Sequence, residues 1–377
     1  MGHDGYRVTE EQVAAFRLAR NHLAEHTPAD VAAVCRDVCG VQAQLMSAAE
    51  LSLSARIRGL RREEIHEALW KQRTLVKTSA MRSTLHLLAT DDLQIYLRAL
   101  LPSRLRHMRR VMAKYGGISA ELLSEVSDLA VDELRSGPLM PGELRERVLA
   151  KGLARGRAKK FFRLAWWGVV RQAIADGRVC YGPNRGKDVT VLRTQDWLPR
   201  QRAVTETEAK KTLLRRYLHA YGPATPQDFC KWSGLFGPEA TEVWQRLRKE
   251  LVTVIVDGRE ASLLARDLPV MRSSRFHGGV VRLLPNFDSY LLAHARKDHL
   301  VEPKHYRQVF RPAGWISPVV LQNGRVVGVW KLEGGKMRIL LRVKFFGKIT
   351  REVQSGLKEE CDRMGEFLRA ECRYKED

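Results

Sequence analysis

The sequence predicts an α+β fold, mainly α: three consecutive helical units, each closed by a pair of strands, then a β-rich C-terminal part. Three observations predict it. A proline-then-acid helix start recurs in Thr27-Pro28-Ala29-Asp30, Met140-Pro141-Gly142-Glu143 and Thr225-Pro226-Gln227-Asp228, running to Gly40, Gly152 and Gly234 respectively. Each copy lies between two further helical patterns and is followed by two β-branched runs. From Val280 onward the pattern changes to short apolar runs separated by turn residues.

The recurring start has a physical reason. Proline at the first helical position lacks only an N–H that has no intrahelical partner there. The acid that follows sits at the positive end of the helix dipole. In the first and third copies a threonine precedes the proline, so threonine and acid can cap one another. The closing glycine tolerates the left-handed conformation that ends many helices. Longer amphipathic helices are predicted before the copies, from about Thr9 to His22, Ser119 to Leu134 and Glu206 to Ala220. Further helices are predicted after them, from about Gln44 to Arg56, Ala158 to Ala175 and Pro238 to Leu251. The strand pairs are about Leu75 to Met81 with Thr84 to Leu88, Arg178 to Tyr181 with Val189 to Arg193, and Leu251 to Val256 with Ala261 to Ala265. The first unit inserts an extra helix, from about Arg62 to Gln72.

Helix, short helix, helix, hairpin is the order of a winged helix, a helix-turn-helix variant whose third helix commonly faces DNA. The expected division is residues 1–115, 116–200 and 201–270 for three tandem winged-helix units, and 271–377 for the C-terminal extension. In that extension Asn323-Gly324, between apolar runs, is a two-residue hairpin signal. A final helix from about Thr350 to Arg369 closes the chain.

Lys and Arg number 65 against 43 Asp and Glu, a net charge of +22 over 377 residues. Such a field favours a polyanion, and the predominance of arginine suits phosphate through its planar fork. A GC-rich genome explains arginine over lysine but not the shortage of acids. The sequence contains no apolar run long enough to span a bilayer and no export signal at its start, so a cytoplasmic, nucleoid-associated monomer without a membrane partner is expected. The six cysteines form no Cys-x-x-Cys, so free thiols are expected, with Cys35 and Cys39 in apolar packing.

No phosphate loop, dinucleotide glycine fingerprint or nucleophilic-serine motif occurs, and neither metal nor cofactor is expected. Basic residues cluster at Lys151, Arg155, Arg157, Lys159, Lys160 and Arg163, opening the third helix of the middle unit, and read as a solvated face or a DNA contact. Phe161, Phe162, Trp166 and Trp167 follow and read as core. Two other basic clusters are Arg104 to Lys114 and Arg342 to Arg351. Arg82, Thr84 and His86 alternate on one face of a predicted strand, which is either solvent-exposed or turned to DNA. The Asn323-Gly324 hairpin is either a sheet edge or a finger carrying Arg325 into a groove. Gln42 and Gln44 flank a small residue directly after Gly40, at the mouth of a predicted helix.

Gly40-Val41-Gln42-Ala43-Gln44 followed by Arg82-Ser83-Thr84-Leu85-His86 resembles the winged-helix DNA glycosylases of the azinomycin-resistance type. Leu284-Pro285-Asn286-Phe287-Asp288-Ser289-Tyr290 and Asn323-Gly324-Arg325-Val326-Val327-Gly328-Val329-Trp330 are similar to that family too, so the resemblance spans nearly the whole chain. It implies three tandem winged helices forming a basic concave cleft. The family's Gln-hydrophobic-Gln mark falls on Gln42 and Gln44, which implies that these two are catalytic. A sister branch carries Asp at the second position. The resemblance also implies a hairpin in the cleft, mapped to about Val319 to Trp330, and a substrate of double-stranded DNA bearing bulky N7-alkylguanines or interstrand crosslinks. The DNA-contacting candidates are Arg82, Thr84, His86, Arg157, Lys159, Lys160, Asn323 and Arg325.

Amides suit that chemistry. Gln is a poor base, but an N7-alkylguanine is already cationic and leaves as a neutral molecule. Positioning water and stabilising an oxocarbenium-like sugar are what remain, and carbonyl dipoles can do both. In a regular helix residues i and i+2 point about 200° apart, so Gly40 to Gln44 is expected to be non-helical. The rival reading is a non-enzymatic winged-helix DNA binder or regulator; three divergent copies in one chain fit it poorly, since operator readers usually dimerise. An RNA-binding module lacks any recognition signature.

Overall fold

One apolar face of the first helix, Glu10–Arg20, ties the N-terminus to remote parts of the chain. Its Val13 and Phe16 pack with Val254, Leu263 and Met271, and its Leu18 packs with Leu284 and Leu291. The computed structural model describes residues 5–115, 119–152, 156, 160, 162–163, 166–335 and 337–377. Strand β1 (Tyr6–Val8) precedes that helix and pairs in parallel with β7 (Leu251–Val256), Tyr6 opposite Val254. So short a strand, paired so far along the chain, leaves no periodicity to read.

Each of the three segments shows helix, short helix, helix and two strands. In the first these are Glu10–Arg20, Val31–Asp37, Met46–Ser54, the additional Arg62–Trp70, β3 (Leu75–Ser79) and β4 (Leu85–Ala89). A short β2 (Val41–Gln42) joins the other edge of β4, giving the order β2-β4-β3. In the second they are Ala120–Glu133, Pro141–Ala150, Trp166–Ala175, β5 (Val179–Arg185) and β6 (Asp188–Arg193). In the third they are Glu206–Tyr221, Pro226–Ser233, Gly237–Leu247, β7 and β8 (Arg259–Leu264).

The capping chemistry follows the sequence in two copies. Thr225 and Asp228 form a reciprocal box, with the Asp228 N–H on Thr225 Oγ1 at 3.2 Å and the Thr225 N–H on Asp228 Oδ2 at 2.9 Å. Gly234 ends that helix at φ 79°. Glu143 accepts the Met140 N–H at 2.9 Å above Pro141. The first copy is shifted: the helix begins at Val31, and Asp30 itself is the cap, accepting the Ala33 N–H at 2.8 Å. Thr27 instead forms an isolated parallel bridge with Ile57, so the Pro28 signal fell three residues short of the helix.

The Leu93–Tyr115 helix, which contains Pro102, links the segments. Its Tyr96, Leu97 and Leu100 share one buried cluster with Leu213, Tyr217 and Tyr221, so the first and third segments have a common core. The second segment packs around Phe162, Trp166, Val170 and Ile174. Trp167 was expected in the core but is 41% exposed. Arg104, expected on a basic surface, is buried; it donates to Ala80 O at 2.7 Å and Ala175 O at 3.2 Å, stitching the segments together. Arg106 is neutralised by Glu239.

The C-terminal part is a five-stranded sheet in the order β13-β12-β11-β10-β9, where β9 is Val281–Leu284, β10 Val319–Gln322, β11 Arg325–Gly334, β12 Arg338–Phe345 and β13 Glu371–Glu376. The Arg351–Leu368 helix lays Val353, Leu357, Cys361 and Met364 on it. No helix among the described residues is long and apolar enough to cross a membrane.

Candidate active site

The Gly40 to Gln44 stretch is non-helical, as its spacing requires. Val41 and Gln42 are ladder-bonded to β4, opposite Leu87 and His86, and Ala43 N–H donates to Leu85 O at 2.7 Å. The helix starts at Met46, after an extended Leu45. Gln44 follows in a bend just beyond β2, so the divergence of about 200° that a regular helix would impose on Gln42 and Gln44 does not apply. Gly40 enables the approach: its φ is +90°, and a Cβ there would lie 2.6 Å from Leu88 Cδ2. A larger residue would have to push the Leu88 side chain aside and adopt a strained backbone.

The two amides are not equivalent. Gln42 is buried, and its Oε1 accepts Arg82 Nη2–H at 3.0 Å. Gln44 is exposed, and its side chain has no partner among the described residues. A guanidinium only donates, so the contact fixes which end of the Gln42 amide faces it. Arg82 also donates to the carbonyl of Trp232 in the third segment. A Cβ on Gly234 would meet the Arg82 backbone N and Cα at 2.9 Å, so this junction is closely packed.

Arg82 does not lie on a strand. Met81–Ser83 is a tight turn with Arg82 at φ 53° and Ser83 at φ 58°. Both sit in the left-handed region that side chains other than glycine rarely adopt. The expected alternation of Arg82, Thr84 and His86 is therefore broken. Thr84 closes the turn, its Oγ1–H donating to Met81 O at 3.0 Å. His86 points into the fold at 2% exposure, with Nδ1 2.9 Å from Thr84 O. Burial, aided by the Arg82 charge, depresses its pKa to about 3, so it is neutral, and it is turned away from solvent.

The Pro285 to Tyr290 motif holds the glutamine loop from behind. Ser289 Oγ–H donates to Gly40 O at 3.0 Å. Asp288 forms a fully buried fork with Arg56 at 2.8 Å on both oxygens, and Ser52 Oγ–H donates to it at 2.7 Å. Burial alone would raise the Asp288 pKa; the Arg56 charge and the hydrogen bonds overcome it and hold the carboxyl low. Sequence reading grouped this motif with the family but missed its partners, which lie on the Met46–Ser54 helix and just beyond it.

The remaining candidates separate. Lys160 is exposed, whereas Arg157 and Lys159 lie outside the described residues. The Asn323-Gly324 turn is a hairpin turn with φ 48° and 82°, but it is packed, not free. Asn323 Oδ1 accepts the Val280 N–H at 2.8 Å, and a Cβ on Gly324 would meet Tyr290 Oη at 2.9 Å and Ala14 Cβ at 3.1 Å. Arg325 faces Glu10 at 3.5 Å. These residues border a cavity of about 1110 Å³ of mixed charge, whose lining also holds Glu11, Asp257 and Glu260 alongside Arg17, Arg259 and Arg296. The next hairpin, β11 to β12, has a freer tip, with Met337 76% exposed.

Sequence reading also missed Lys297. Its Nζ donates to Leu291 O at 2.6 Å and lies 5.2 Å from the centre of the Phe310 ring. Burial, with the Arg82 charge adding to it, lowers its pKa to about 7. No group of three His, Cys, Asp or Glu among the described residues could hold a metal ion.

The AlkZ-like DNA glycosylase profile matches residues 35–367, spanning the glutamine loop, the Arg82 turn and the Asp288 brace. The chain belongs to that family. The interstrand DNA cross-link repair glycosylase of Streptomyces sahachiroi is 33% identical over 335 residues, covering 86% of this chain and 88% of that protein. The solved structure of the Streptomyces sahachiroi DNA glycosylase AlkZ superposes with a TM-score of 0.87 at 28% identity, covering 98% of this chain and all of the other. In an AlkZ-like DNA glycosylase the substrate is DNA, and the surplus of 22 positive charges is the corresponding field.

Proposed function

We propose that this chain is a monofunctional glycosylase that hydrolyses the N-glycosidic bond of N7-alkylated, cationic purines in double-stranded DNA, bulky toxin adducts or interstrand crosslinks among them, leaving an abasic site. The observation that carries the reading is the pair of amides on one non-helical segment, one clamped and one free. Gln42, held at its oxygen by Arg82, keeps its N–H₂ and its remaining lone pair to orient a water. Gln44 offers an unpartnered carbonyl to the developing positive charge on the sugar. Neither group protonates the base, and a cationic purine does not need it. An undamaged purine does, so selectivity for alkylated bases follows from the leaving group.

The relative from Streptomyces sahachiroi is named for crosslink repair, which supports the crosslinked member of this substrate class. We read the three segments as tandem winged helices facing one DNA cleft. The hairpin implied by the family resemblance is better matched by β11 to β12 than by the packed Asn323-Gly324 turn.

The test is abasic-site formation on duplexes carrying N7-methylguanine or a bulky N7 adduct. Wild type cleaves at least one of them, and Gln42→Ala and Gln44→Ala lose cleavage while still binding DNA. Wild-type rates in both variants would remove the glutamines from the mechanism. Absence of cleavage by wild type on every N7-alkylated duplex, with salt-dependent DNA binding intact, would favour the non-enzymatic DNA-binder reading.

A further inference from the structure

A second recess opens beside the glutamine loop. The Met46–Ser54 helix begins two residues after Gln44, and its N-cap, Leu45, gives it no side-chain cap. Ser47 and Ala48 in its first turn line a cavity of about 760 Å³ together with Arg307, Arg311, Trp315 and Lys344. Uncapped amide N–H groups at a helix start favour an anion. Arg307, Arg311 and Lys344 are exposed and have no carboxylate partner among the described residues. The other cations on the wall differ, since Arg62 is held by Glu50, Lys331 by Glu333, and Arg342 by Glu333 and Asp377. Three unneutralised cations and a bare helix start therefore converge on one recess.

The recess also presents aromatic surface. Trp315 is 42% exposed, and its ring stands edge-on to Phe287 with centroids 5.1 Å apart. Phe287 belongs to the Pro285 to Tyr290 motif that holds Gly40 through Ser289, so the indole is braced on the support of the glutamine loop. Tyr306, 43% exposed, lies on the other side of Arg307 and lines a smaller recess that Arg307 also borders. Cations alternating with exposed rings suit a single nucleic-acid strand, whose phosphates take the charges and whose unstacked bases take the rings. A paired duplex has its base faces stacked away and cannot use the indole.

We propose that the recess formed by Ser47, Ala48, Arg307, Arg311, Trp315 and Lys344 binds an unpaired stretch of one DNA strand next to the lesion, with a base stacked on Trp315. This rests on the reading of the Gln42 loop as the reaction centre. A crosslinked base is tethered to both strands and cannot be fully extruded, so access to its glycosidic bond requires local opening, and the recess would hold a strand so released.

The experiment uses the full chain and fluorescence anisotropy with three DNAs of one sequence: intact duplex, duplex with a short central unpaired bubble, and single strand. Wild type is expected to bind the bubble more tightly than the intact duplex. Trp315→Ala is expected to lower bubble affinity about tenfold while leaving intact-duplex affinity within about twofold, and Trp315→Phe to restore most of the loss. Arg307→Ala is expected to flatten the salt dependence of bubble binding by about one unit of log–log slope. Equal binding of bubble and duplex by wild type, or equal losses on both DNAs in Trp315→Ala, would overturn the proposal. The measurement needs no turnover: bubble preference in a wild type that excises no N7-alkylated base would leave this inference standing and remove the glycosylase mechanism. Excision without bubble preference would do the reverse.

Discussion

Arg82 Nη2–H donates to Gln42 Oε1 at 3.0 Å, and the same guanidinium reaches the carbonyl of Trp232. One side chain thus ties the glutamine loop of the first segment to the short helix of the third. The turn that aims it is held in a left-handed conformation at two successive residues. Such strain persists where surrounding packing over-determines it, and it clusters at functional sites.

Arg82→Lys keeps the charge but loses the fork that spans both acceptors. Excision is expected to fall about a hundredfold, the order seen for small misplacements at a reacting centre. The effect should lie in kcat, with KM and duplex affinity changed less than about threefold. A variant that excises normally would remove Arg82 from the positioning of Gln42, and a loss lying wholly in KM would make it a DNA contact instead.

The Asp288 to Arg56 fork is a brace for the same loop. Asp288→Asn leaves the Arg56 charge buried without its counterion, which costs about 3–5 kcal/mol. The expected outcome is a large fall in melting temperature. Ser289→Ala removes only the contact to Gly40 O and is expected to cost about 1–2 kcal/mol, with a larger proportional loss of excision than of stability. Unchanged excision in Ser289→Ala would show that the loop holds its shape without this contact.

The sequence made some of this legible for physical reasons. Capping and termination are local chemistry, so Thr225, Asp228 and Gly234 could be read directly, as could the Asn323-Gly324 turn. That Gly40 to Gln44 is non-helical could be expected once the resemblance had marked both glutamines, since a regular helix would point them apart. What escaped was non-local. Nothing near Arg82 announces two left-handed residues, so alternation placed it on a strand and turned His86 outward. Arg104 was read into a basic surface cluster, yet it is buried among carbonyls, and Arg56 and Arg17, counted only in the net charge, are likewise buried beside a carboxylate or carbonyls. Charge totals describe the field around the molecule and do not say which cations face it.

Gly40→Ala tests the closest approach in the loop. The added methyl meets Leu88 Cδ2 at 2.6 Å on a backbone with φ +90°. Strain of this kind costs about 1–3 kcal/mol. The variant is expected to melt at a lower temperature and to lose excision, because the Leu88 side chain must yield and the left-handed backbone at the start of the glutamine loop is strained. Gly234→Ala should act on the same site from the opposite side, through the Arg82 backbone.

Lys297 gives a pH dependence with a definite sign. Burial lowers its pKa from 10.5 to about 7, so between those values the unfolded chain holds a proton that the folded chain does not. Stability then rises with pH across that window, and the penalty for the buried charge is fully present below pH 7. Lys297→Met removes the penalty while filling similar space beside Phe310. The melting temperature of the variant is expected to exceed that of wild type most at pH 6 and to converge on it toward pH 10, less a constant loss for the unpaired Leu291 carbonyl. A difference that stays constant between pH 6 and pH 10 would show that Lys297 keeps its charge throughout the range.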